Sequence, residues 1–290
     1  MGIPEPPPLG ASALPSGTFD DVVVVVTGGG TGLGKAIAVE FARLGASVAI
    51  LSRDEGHRDA GVAAVTEAGG KGFAAPCDVR DADAVAMAFD AVTEALGPPD
   101  VLVNNAAGNF PVPAEDLSAN GWRAVTSIVL DGTFNCSREF ARRHIAAGTP
   151  GAIVNIGASY AWTGGPGFAH SAAAKAGVKN LTETLAVEWA PYGIRVNYLV
   201  PGLMPHEDEV AQIKDGVPGR GDAEDARVPA MRTGRPRELA WAATYLASPY
   251  AVYVTGATLA VDGANWQRRH MLQPEFRPIR EQLGKDPFTL

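Results

Sequence analysis

The chain has 290 residues, 46% hydrophobic and 19% charged, which fits a globular protein with a substantial core and admits one large domain or two small ones. A net charge of −8 argues against a general nucleic-acid or anionic-membrane surface and leaves room only for a local basic pocket for a phosphorylated ligand. No run reaches the ~20 apolar residues needed to span a bilayer, the first residues lack the basic start and apolar core of a secretory signal, and the last five, Asp286 to Leu290, show no peroxisomal tripeptide.

Residues 1–18 are rich in proline, which removes both donors and helical options, and read as a flexible or surface-draped arm. Strand and helix patterns then alternate: strand 22–27, helix 33–44, strand 47–51, helix 57–68, strand 72–77, helix 81–96, strand 101–104, one long helix 118–147, strand 152–156, helix 171–190, strand 195–200, helix 236–247 and strand 258–261. Short Val-rich runs with helices between them predict an α/β domain, a doubly wound parallel sheet covered on both faces. One domain over 19–265 is expected, with tails at 1–18 and 266–290. Cys77 and Cys136 lie in apolar segments and read as buried free thiols suited to a reducing cytoplasm. No metal-ligand pattern is read.

Residues 202–235 break the rhythm with Gly, Pro and charge, and read as a lid-like insertion at the ligand edge of the sheet. Its Arg220, Arg227, Arg232 and Arg235 either line a phosphate-bearing ligand or pair with Asp222, Glu224 and Asp225. The tail from Trp266, with Arg268, Arg269 and His270, reads as solvated or as packing on a neighbouring subunit.

In a sheet of this kind ligands sit at the carboxyl ends of the strands. After the first strand comes Thr27-Gly28-Gly29-Gly30-Thr31-Gly32-Leu33-Gly34, followed by Ile37, Phe41 and Leu44 on one helical face. Such a turn lets backbone approach a pyrophosphate at a helix N-terminus. The second strand ends Ser52-Arg53-Asp54. Arg53, assisted by Ser52, can grip the extra phosphate of NADP, whereas Asp54 could bind a ribose hydroxyl. Asp78 and Val79, after the third strand, would lie near the adenine.

The T-G-x-x-x-G-x-G turn, Asn104-Asn105-Ala106-Ala107-Gly108, and Pro201-Gly202 after the sixth strand resemble a short-chain dehydrogenase/reductase over about residues 19–265. The resemblance implies a Rossmann-type fold, an NAD(P)(H) cofactor and an oligomer, a tetramer in many members. It makes Thr27, Gly28, Thr31, Gly32, Leu33, Gly34, Asn105, Ala106, Gly108, Pro201 and Gly202 candidates for the cofactor cleft. Most members use a Ser, a Tyr and, four residues after the Tyr, a Lys. Here Lys175 has Ser171 in the Tyr place, Ala158 stands where the Ser falls, and Asp131 replaces an expected helix Asn.

Of the six tyrosines, Tyr160 alone follows a central strand closely. With Asn104-Asn105-Ala106-Ala107-Gly108-Asn109-Phe110 and Cys77-Asp78-Val79-Arg80-Asp81, this set is similar to the eukaryotic-type 2,4-dienoyl-CoA reductases. That resemblance implies an NADPH-dependent reduction of an acyl-CoA to a 3-enoyl thioester. Tyr160 and Asn109 would be donors to the thioester oxygen, Lys175 would hold the nicotinamide ribose, and Ser171 would hold the cofactor or the Lys. A trans-2-enoyl-CoA reductase and an inactive NADPH-binding sensor are the rival readings. The stripe of Val178, Leu181, Leu185 and Trp189 fits packing on the sheet or on another subunit.

Overall fold

The computed structural model describes residues 2–205, 225, 228–267 and 279–284. Seven parallel strands, β1 (Val23–Thr27), β2 (Ser47–Ser52), β3 (Lys71–Pro76), β4 (Val101–Asn104), β5 (Gly151–Ile156), β6 (Ile194–Pro201) and β7 (Thr258–Val261), form one sheet. Their order is β3-β2-β1-β4-β5-β6-β7. Chain direction across the sheet reverses between β1 and β4, which opens a crevice at their carboxyl ends. The strands depart from the sequence reading by one residue at most at either end.

The Val run of β1 is buried along its whole length because both faces are covered. Val24 and Val26 join one core with Ile37 and Phe41 of α1 (Gly32–Arg43) and Leu239 and Ala243 of α8 (Pro236–Ala247). Val23 and Val25 join the other, with Phe89 of α3 (Ala82–Leu96), Phe140 of α5 (Gly132–Ala147) and Leu185 of α7 (Ala169–Trp189). Helix α2 (Glu55–Glu67) follows β2, its N-terminus capped by Asp54.

The long helix expected over 118–147 is broken. It runs as α4 (Ala119–Thr126), a π-helical turn at Ser127–Asp131, and α5. At Gly132 an added Cβ would stand 2.5 Å from Val79 Cγ2, so the helix presses on the segment after β3 where the turn widens. A short helix not foreseen, α6 (Tyr160–Thr163), follows β5.

The described residues of both tails contact the rest of the chain. The Ile3 N–H donates to the Ala230 carbonyl, Arg232 and Arg237 donate to the carbonyls of Pro4 and Pro7, and the Trp241 indole donates to the Ala11 carbonyl. Trp266 stacks on Trp162 with centroids 5.1 Å apart. Arg280 of α9 (Ile279–Gln282) pairs with Asp116. The described residues of the C-terminal tail thus make contacts within the chain. The stripe on α7 likewise packs within the chain, Leu181, Leu185 and Trp189 on the sheet core and Val178 beside Tyr198. Residues 206–224, 226 and 227, with Arg220, Asp222, Glu224 and Arg227, lie outside the described residues, as do Arg268, Arg269 and His270.

Candidate active site

The crevice at β1 and β4 widens into a cavity of about 740 Å³. Gly28, Thr31, Gly32, Leu33, Gly34, Ser52, Arg53, Asp78, Val79, Asn105 and Ala106 line it, as does Ile128 of the π-turn. Thr27 Oγ1 accepts the N–H groups of Asn105 and Ala106, both at 3.0 Å. In return the Asn105 amide donates to the carbonyls of Thr27 and Gly28. These bonds lock the glycine turn to the end of β4. They also explain Gly34, where a Cβ would lie 2.4 Å from Asn105 Nδ2, while Gly28 takes φ +63.

The open turn leads into the N-terminus of α1, whose N-cap Thr31 makes no side-chain cap bond. A concave glycine backbone at a long helix N-terminus suits a dinucleotide pyrophosphate. At the rim Asp54 is committed to the His57 N–H at 2.8 Å, which favours Arg53 over Asp54 as the polar group offered there. Arg58 donates to the carbonyls of Ser52 and Arg53 and so stiffens the loop. The Arg53 side chain is 59% exposed, with a loose 3.8 Å approach to Asp78. Asp78 is held by Arg80, whose hydrogen bonds keep its carboxyl below the usual range; it remains an anionic acceptor, but a shared one.

Beside this cavity, β5 ends against α7. Lys175 is buried and its Nζ donates to the Ile156 carbonyl at 2.5 Å. Burial pushes its pKa down to about 8. Ser171, one turn earlier, is 2% exposed, and its Oγ lies 2.9 Å from the Tyr160 hydroxyl. The phenol absent from position 171 is thus delivered to that residue from α6, with a buried lysine four residues on. Below them the Tyr198 hydroxyl donates to the Lys175 carbonyl and accepts the Ala158 N–H. Both bonds run to backbone, so this second phenol braces the end of β5 against α7, and burial raises its pKa.

The loop after β4 runs over this pair. Asn109 is exposed, and its Oδ1 accepts the Phe110 N–H at 3.0 Å, leaving the amide N–H groups as the outward donors. Phe110 meets His170 edge to face, with centroids 4.6 Å apart. The Val112 N–H donates to Gly167 O at 2.8 Å, which ties this loop to the one preceding α7.

A family model described as enoyl-(acyl carrier protein) reductase matches residues 28–264. The chain belongs to the short-chain dehydrogenase/reductase family. It is 41% identical to a probable 2,4-dienoyl-CoA reductase, (2E)-enoyl-CoA-producing, of Bacillus subtilis strain 168, over 84% of this chain and 96% of that one. To the peroxisomal 2,4-dienoyl-CoA reductase, (3E)-enoyl-CoA-producing, of Rattus norvegicus it is 39% identical, over 86% and 85%. A short-chain dehydrogenase from Bacillus anthracis superposes with a TM-score of 0.78 at 41% identity, covering 87% of this chain and 99% of that one. This short-chain oxidoreductase therefore carries the family's NAD(P)(H) fold, and the glycine cradle fits that group.

Within the family frame, Tyr160, Ser171 and Lys175 come together, and Asn109 stands on the adjoining loop without touching Tyr160 in the bonds described. Thr27, Gly108, Pro201 and Gly202 lie outside the cavity lining; Thr27 is 1% exposed and acts as the tie described above. At Gly202 a Cβ would lie 2.5 Å from Asp262 Cα, so this glycine serves close packing after β6. Asp131, the position read as the helix Asn, is exposed, whereas Val129 of the same π-turn packs beside Ala174 and Val178. Among the described residues Arg232 pairs with Glu238 and Arg235 with Glu5. Asp225 instead accepts the Thr233 N–H.

Three groups were missed from sequence. Tyr198 was passed over as a strand residue, although Gly157 signals it: a Cβ there would stand 2.2 Å from Tyr198 Cζ. Asn104 and Asn155, polar residues within Val-rich strands, form a buried chain to Ser137 and Thr182 behind the site. His170 is fully buried next to Ser171.

Proposed function

We propose that this short-chain oxidoreductase reduces 2,4-dienoyl-CoA with NADPH to a 3-enoyl-CoA. The observation that carries the reading is the 2.9 Å contact between Tyr160 and Ser171, one turn before the buried Lys175. It supports a phenol relocated to the end of β5, as against a phenol lost.

The bound cofactor would supply a hydride, which a conjugated thioester accepts at its far alkene carbon. Charge then collects on the thioester oxygen, and a site that stabilises it needs donors aimed there. Tyr160 O–H and the free amide N–H of Asn109 are the two groups offered for this role. Ser171 can donate to Tyr160 Oη and so leave the phenol's own proton for the substrate. Lys175, fixed to the end of β5, would bind the nicotinamide ribose. A proton from water at the carbon next to the thioester completes the balance: one hydride and one proton added, one alkene lost. Arg53 and Ser52 support NADPH over NADH, because Asp54 is engaged as a helix cap.

The family description as an enoyl reductase favours a second reading, reduction of a simple trans-2-enoyl thioester. The deciding experiment follows NADPH oxidation and the dienoyl ultraviolet band with 2,4-dienoyl-CoA and with trans-2-enoyl-CoA of equal length. Faster turnover of the dienoyl substrate supports the first reading. Equal or faster turnover of the mono-enoyl substrate supports the second. Cofactor binding with no oxidation of either points to a sensor.

A further inference from the structure

We infer that His170 is a positioning residue that couples the Asn109 loop to the Tyr160–Ser171 pair. This rests on the dienoyl-thioester reading of the same site and adds the device that sets its two donors relative to each other.

Helix α7 begins at Ala169 with Phe168 as N-cap, a residue with no side-chain acceptor. The free N–H of Ser171 is taken instead by the neighbouring imidazole, at 2.7 Å from His170 Nδ1. Ser171 is thereby held where its Oγ meets Tyr160. An imidazole whose Nδ1 accepts carries its proton on Nε2. That Nε2 is buried without a hydrogen-bond partner. A leucine would fill such a volume without an unpaired donor. The polar side of the ring serves the start of its own helix, at the Ser171 N–H and the Phe168 carbonyl.

The ring meets Phe110 edge to face at 4.6 Å, and Phe110 immediately follows Asn109. The nearby bond from Val112 N–H to Gly167 O fixes the two loops a second time. One side chain thus touches the residue next to each candidate donor: Ser171, which holds Tyr160, and Phe110, which follows Asn109. His170 needs no contact with substrate to matter. Its loss would let the two donors drift apart, and misplacement of about 1 Å is enough to slow a reaction strongly.

The test is a double-mutant cycle on the full chain, with NADPH and a medium-chain 2,4-dienoyl-CoA as substrates. His170→Ala is expected to lower kcat about tenfold or more, with the KM for NADPH little changed. In the Asn109→Ala background the same change should cost less than about threefold, because the donor that His170 helps to place is already gone. His170→Asn, whose amide oxygen can accept the Ser171 N–H, should recover part of the loss. Phe110 is 39% exposed, so Phe110→Leu offers a variant that folds if His170→Ala does not, and it should show the same non-additivity with Asn109→Ala. Equal costs of His170→Ala or Phe110→Leu in both backgrounds, or no cost at all, would overturn the inference. Failure of the wild-type protein to turn over dienoyl-CoA is a separate outcome, seen before any variant is made, and removes the underlying reading instead.

Discussion

Replacing Tyr160 by Phe removes a single oxygen from a half-buried ring and leaves its packing in place. In the free protein that oxygen pairs with Ser171 Oγ at 2.9 Å, so its loss strands a hydroxyl that is 2% exposed. One net hydrogen bond is worth about 1 kcal/mol, and the melting temperature should fall by about 2 °C. The effect on rate is larger. Removing one preorganised donor from an oxyanion site typically costs ~10²–10³ in kcat, about 2.7–4 kcal/mol. Single-turnover decay of the dienoyl band under saturating NADPH measures the chemical step, and fluorescence titration measures cofactor affinity. The expected pattern is a loss of at least about a hundredfold in the chemical step with NADPH affinity within about twofold. Retention of the rate within about threefold in a folded Tyr160→Phe protein would refute the relocated phenol.

Arg53→Ala should weaken NADPH about tenfold and leave NADH unchanged; this is the low end for a charge-assisted contact, because Arg53 stands largely in solvent, and isothermal titration with both cofactors checks it. Lys175 titrates near 8 in the fold against an ordinary 10.5, so between these values the unfolded chain binds more protons than the native one. Its contribution to stability should accordingly rise from pH 8 towards pH 10.5, a slope that Lys175→Met lacks in urea unfolding of the cofactor-free protein. Gly157→Ala forces a Cβ to within 2.2 Å of Tyr198 Cζ. It should destabilise by about 1–3 kcal/mol in denaturant, with most of that cost absent in a Tyr198→Leu background.

The sheet was readable because Val-rich strands and their spacing depend on local pattern alone. The glycine turn, Arg53 and Tyr160 were readable because they stand at strand ends, where this architecture gathers ligands. The break at Ser127–Asp131 was not, because a single wide turn inside a long helical run carries no residue signal of its own, and the meeting of Gly132 with Val79 exists only in the fold. The partners of Arg232 and Arg235 were hidden because Glu5 comes from an arm 230 residues before Arg235, and Glu238 from the helix that follows. His170 carries no motif of its own, and its role rests on contacts with Ser171 and Phe110 that only the fold creates.

The central claim concerns where the thioester oxygen sits. A crystal structure with oxidised cofactor and a dienoyl-CoA measures this directly. Tyr160 Oη and Asn109 Nδ2 are expected within about 3 Å of that oxygen, with Lys175 on the ribose. An oxygen held by Ser171 or Lys175, with Asn109 turned away, would contradict it.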